Sequence, residues 1–140
     1  MTSSPDDIFR LLQFTMAQEK NDDIFHLVEV SVWKECKNAE PKIDYLPATY
    51  EADGFIHATG EANMLLNVAN MFFKSAEGDF TVLRIRPSLL KSPVKWEVVD
   101  PNDETVKYPH IYGPMNIDSV VQEYAVKRSD DGEFLEVVGL

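Results

Sequence analysis

The sequence has a single cysteine, Cys36, in 140 residues, so no internal disulfide can form. None is needed, because a chain of this length buries about 70% of its unfolded surface in one core. A lone thiol suits a reducing compartment, and a cytoplasmic location is expected. Long apolar runs are also missing. The most apolar stretch, Ala62 to Phe73, is short and interrupted by three asparagines, too little to cross a bilayer. The opening MTSSPDD lacks a basic start and an apolar core, so no secretory signal is expected. Basic residues are scarce, 13 against 24 acids, for a formal charge of -11. That field repels phosphate backbones and anionic lipid, which argues against nucleic acid and membranes as partners. Arg84, Arg86, Lys91 and Lys95 are the basic residues from which a local patch would have to be built. There is no GxSxG elbow for a serine hydrolase, and no HxH or HExxH pair, so no metal site is expected. Cys36 has nothing beside it in WKEC to lower its pKa and is not expected to be a nucleophile.

What is present is a globular composition, 44% hydrophobic and 11% aromatic. Residues 4–18 have the pattern of a helix, with Ser4 as cap, Pro5 in the first turn, and Ile8, Leu11 and Leu12 on one side. Residues 1–20 are therefore expected to form an N-terminal helical extension to a domain spanning 21–140. IFHLVEV (24–30) is expected to be a strand, followed by a short helix VWKECKN capped by Ser31. A loop should run from Ala39 to the turn signal Asp53-Gly54, and FIHA should be a short strand. Ala62, Leu65, Leu66, Ala69, Phe72 and Phe73 mark one face of a helix that opens at Thr59 or Gly60. FTVLRI, VKWEVV and TVKYPHIY are further strands, and Asn116 to Val120 one helical turn. QEYAVKR and EFLEVVG should form a hairpin around Ser129-Asp130-Asp131-Gly132. Strands outnumber helices and lie close together, so the expected class is α+β, a single domain with a largely antiparallel sheet.

Three histidines, His26, His57 and His110, stand in or beside predicted strands. Imidazole changes charge near neutral pH and can donate and accept at once. His57 precedes a helix start, where free N–H groups and the Thr59 hydroxyl suit an anion such as pyrophosphate. The plainer alternative has Thr59 capping the helix and His57 bonded to a backbone carbonyl. His110 lies in YPHIYGPMN, where Pro109 and Gly113-Pro114 restrict the backbone on both sides. Tyr108 and Tyr112 are expected to be core or wall positions, with the Gly113-Pro114 bend able to turn Tyr112 into a cleft.

IFHLVEVSVWKE, YLPATYEADGFIHAT, ANMFF, VKWE and YPHIYGPMN together resemble, in order and spacing, the family labelled domain of unknown function 952, over about residues 24–128. The resemblance implies a fold similar to ADP-ribosyltransferases and RNA 2'-phosphotransferases, with NAD held between two strongly bent, mostly antiparallel sheets with flanking helices. It implies His26 and Thr59 on the ribose, with Tyr112 also on the ligand. It implies His57 on the ribose or pyrophosphate, and His57 and His110 as the catalytic pair. Related transferases carry a glutamate on the late strand. None occupies that position here, so acid–base work falls to His110. NAD, another nucleotide or a 2'-phosphorylated end is the expected small-molecule partner and substrate of a transferase. The other readings are a non-catalytic nucleotide or metabolite binding module and a protein-interaction domain.

Overall fold

The computed structural model describes residues 22–140; the predicted helix over 4–18 lies outside them. Among the described residues, seven strands form two sheets, and all five strand pairings are antiparallel. The larger sheet has the order β1 (Ile24–Glu29), β3 (Phe80–Ile85), β6 (Val120–Arg128), β7 (Phe134–Val137). The smaller has the order β2 (Ile56–His57), β5 (Lys107–Ile111), β4 (Val94–Val98). The domain is thus α+β with curled antiparallel sheets and few helices, as the strand count anticipates.

Alternation explains how the larger sheet is buried on both faces. Ile24 and Val28 of β1, with Leu83 and Ile85 of β3, face the smaller sheet, where they meet Ile56, Ala58 and Ile111. Phe25 and Val82 face the other way, onto Leu65 of helix α3 (Ala62–Phe72). Trp33, from helix α1 (Val30–Asn38), and Tyr45 close the inter-sheet core. The two sheets are sewn at one point: Phe25 and Thr59 exchange two backbone hydrogen bonds of 2.8 Å each. This seam makes the small sheet bend off the edge of β1.

Several boundaries differ from the sequence expectation. β1 stops at Glu29, and α1 begins at Val30 with Glu29 as cap residue, so Ser31 lies inside the helix and caps nothing. The predicted loop contains a four-residue helix α2 (Tyr50–Asp53), ended by Gly54 at φ +80°, which glycine adopts without strain. α3 starts at Ala62, beyond Thr59 and Gly60, and its last turn leaves the core: Phe72 is 70% exposed. The helical period correctly marks Leu65 and Ala69 as buried, but the sheet ends before it can cover Phe72. The 129–132 hairpin forms between β6 and β7 as expected. Among the described residues no helix is long and apolar enough to cross a membrane.

Candidate functional site

His57 and His110 are direct register partners across β2 and β5. Ile56 and Ile111 pair on the core face, so the two imidazoles necessarily share the opposite one. Their ring centroids are 5.5 Å apart and nearly perpendicular. The ring of Phe55 stacks on His110 at 3.9 Å and meets His57 edge-on at 4.7 Å. The three rings thus form one small aromatic wall.

Each imidazole has its own carboxylate. His57 Nε2 donates to Asp53 Oδ2 at 3.0 Å; Asp53 is the last residue of α2, four positions earlier. His110 Nδ1 donates to Glu97 Oε1 at 2.9 Å, from β4. The same oxygen accepts a short hydrogen bond from the Tyr112 hydroxyl. Those two donors, Tyr112 first, hold the Glu97 carboxyl below its usual range. Conversely, the carboxylate beside it raises Tyr112. Because a carboxylate only accepts, Nδ1 of His110 carries the proton and Nε2 presents a lone pair. Nε2 has no partner among the described residues. The His110 ring itself is buried, its side chain 5% exposed. His57 is open outright, its side chain 58% exposed. This geometry suits proton transfer: two adjacent imidazoles, each backed by a carboxylate that stabilises its charged form.

Tyr112 reaches this cluster, which corrects its placement with Tyr108 as a core or wall residue. Residues 110 and 112 are two apart on an extended chain and share a face. The bend at Gly113 (φ +141°) follows Tyr112 rather than aiming it, while a bond from Tyr112 N to Pro93 O pins the position. A Cβ at Gly113 would strike the Ser92 side chain, whose hydroxyl holds Pro114 O at 2.7 Å. Gly113→Ala is expected to cost about 1–3 kcal/mol, seen as a lower urea midpoint.

His26 and Thr59 take a different place. His26 faces the inter-sheet core, 7% exposed, and both its nitrogens are occupied. Nδ1 lies 2.5 Å from the His57 carbonyl and Nε2 2.8 Å from the Tyr45 hydroxyl. A carbonyl cannot donate, so Nδ1–H donates to it, and Nε2 accepts from Tyr45. Burial drives the ring's pKa down to about 4, so it is neutral at physiological pH. Burial also raises the Tyr45 phenol. The Thr59 hydroxyl donates to Glu61 O at 2.9 Å and does not cap α3. As placed, His26 has no free nitrogen to offer a ribose, and the Thr59 hydroxyl is buried with its proton already given to Glu61 O. They hold the strand that carries His57. The plainer alternative for His57, a bond from its ring to a carbonyl, is not what forms: its ring pairs with Asp53, and its own carbonyl accepts from His26. Burial also raises the Cys36 thiol, in keeping with an inert cysteine.

Sequence reasoning missed Asp53, Phe55, Glu97 and Lys95 as site residues. Asp53 and Phe55 flank Gly54 at the start of GFIH, and the i, i+4 spacing of Asp53 and His57 was a usable signal. Glu97 and Lys95 had none, because their relation to His110 exists only through β4–β5 pairing.

Solved structures with this fold include protein CC0527 from Caulobacter crescentus by X-ray crystallography. It has a TM-score of 0.64 and 23% identity, over 81% of this chain and 93% of that one. The solution NMR structure of the same protein gives a TM-score of 0.60 and 22% identity, over 79% and 90%. No curated protein matches the sequence. A family model described as "Protein of unknown function (DUF952)" matches residues 28–123, a span that contains His57, Glu97, His110 and Tyr112. The chain belongs to that family.

Proposed function

We propose that His57 and His110 form an acid–base pair acting on a small nucleotide-type substrate, with transfer of the ADP-ribosyl unit of NAD as the reaction. The observation that carries this reading is their direct cross-strand pairing, each ring backed by a separate carboxylate. In such a transfer the nicotinamide–ribose bond breaks through an oxocarbenium-like state, and its electron pair passes to the pyridinium nitrogen. An acceptor hydroxyl attacks the sugar carbon and gives its proton to His110 Nε2, while Glu97 stabilises the imidazolium. His57, the more exposed ring, binds and donates to the substrate. NAD is named as the substrate from the ADP-ribosyltransferase-like fold that the sequence motifs imply, and from nothing else.

The test is nicotinamide release from NAD by purified protein. His57→Ala and His110→Ala are each expected to slow it by about 10²-fold or more. No release by the wild type, or release unchanged in both variants, would remove the reading. A recognition module without chemistry is favoured by one observation. The His110 ring is almost sealed, its side chain 5% exposed, which suits a recognition role better than proton exchange with an incoming hydroxyl. A shift in melting temperature with ADP-ribose, without product from NAD, would favour that module; a ligand at 100 times its Kd adds about 2.7 kcal/mol.

A further inference from the structure

Register pairing places a third nitrogen-bearing side chain beside the two imidazoles. Lys95 is the partner of His110 across β4 and β5, just as His57 is across β2 and β5. Lys95, His110 and His57 therefore form one row perpendicular to the strands, on one face of the smaller sheet, each separated from the next by one strand spacing of about 4.8 Å. Lys95 is exposed, and its Nζ lies 4.9 Å from the centroid of the Tyr112 ring, which keeps the ammonium beside the cluster. The carboxylates near the row already have donors: Asp53 accepts from His57, and Glu97 from His110 and Tyr112. Arg84 and Arg86 both bond Asp23, at 2.7 and 3.2 Å, so they do not form the local basic patch with Lys95.

From this row we infer that the site binds a phosphoryl group, with Lys95 as the residue that selects phosphorylated ligands over unphosphorylated ones. The inference rests on the acid–base reading of His57 and His110 and narrows its substrate class. Lys95 supplies fixed charge, and the open His57 ring beside it, backed by Asp53, adds an N–H from Nδ1 when protonated, while Nε2 of His110 stays the base. Together they suit the several acceptor oxygens of a phosphate or pyrophosphate. In a chain with a formal charge of -11, an anionic ligand needs such a local concentration of donors to overcome the general repulsion.

The experiment follows the His57 and His110 ring resonances by NMR while inorganic pyrophosphate, ADP-ribose, nicotinamide riboside or ribose is added. Pyrophosphate and ADP-ribose are expected to move both, and ribose and nicotinamide riboside to move neither at the same concentration. Lys95→Met is expected to weaken ADP-ribose binding by roughly 10- to 100-fold, and Lys95→Arg to restore most of it. Lys95 is exposed, so both variants should melt near the wild type. Movement with nicotinamide riboside but not pyrophosphate would overturn the phosphoryl site while leaving the acid–base pair standing. Equal binding by Lys95→Met and wild type would overturn the role of Lys95. Silence with every ligand, together with no nicotinamide release, would overturn both readings.

Discussion

His26→Ala is expected to lower the unfolding free energy by about 2–5 kcal/mol in urea titrations at pH 7.5. The imidazole joins three elements: β1 supplies the ring, the strand of His57 supplies the carbonyl, and the loop before α2 supplies the Tyr45 hydroxyl. Truncation strands two polar groups beside a dry core, and each unsatisfied partner costs about 1–3 kcal/mol. His26→Asn, whose amide can still donate to the carbonyl, should recover part of the loss. The pH dependence has a definite sign. The folded ring has a pKa of about 4 against an ordinary 6.5, so between those values the unfolded chain binds a proton that the folded chain excludes. The contribution of His26 is complete above pH 6.5 and is lost as the solution is acidified toward pH 4, by about 3 kcal/mol in all. Subtracting the pH profile of His26→Asn from that of the wild type isolates it. Parallel profiles would mean that the ring is not held neutral in the seam.

Glu97→Gln is expected to slow nicotinamide release by about 10²–10⁴-fold while barely moving the melting temperature. The carboxylate accepts from His110 Nδ1, which leaves Nε2 as the base in the proposed reaction. An amide has nearly the same shape but offers an N–H in place of one acceptor. It can turn that N–H toward Nδ1, driving the ring proton to Nε2 and abolishing the base without disturbing the packing. The comparable exchange at a hydrolase triad costs about 10⁴. Glu97 is 38% exposed, so water replaces part of what the amide cannot supply, and the lower end of the range applies if the site stays wet. Nitrogen chemical shifts of His110 report the tautomer independently of rate. Full activity with Nδ1 still protonated would show that Glu97 does not set the tautomer.

Much of the frame was legible in the residues. FTVLRI matches β3 residue for residue, since a β-branched, apolar run buried on both faces needs no finer signal. The 3.6-residue period located α3, and Asp53-Gly54 located a real left-handed turn. The start of α1 and the exposed last turn of α3 were not legible. Those limits depend on where a neighbouring sheet begins and stops. His26 shows the same boundary for chemistry. Its alternation placed it on a face with Val28, but whether that face met solvent or a second sheet was a tertiary matter, and the second sheet makes it a buried seam residue.

By itself the sequence determined that His57 and His110 were candidates for chemistry, and that the backbone around them would be extended and locally restrained. These are short-range consequences of strand alternation, proline and glycine. Only the tertiary structure decided that the two rings are partners, that Glu97 and Asp53 serve them, and that Lys95 completes the row. Strand register between segments some fifty residues apart is selected by the summed packing of Ile56 and Ile111 in the shared core, and slipping it by one residue would turn every imidazole to the wrong side.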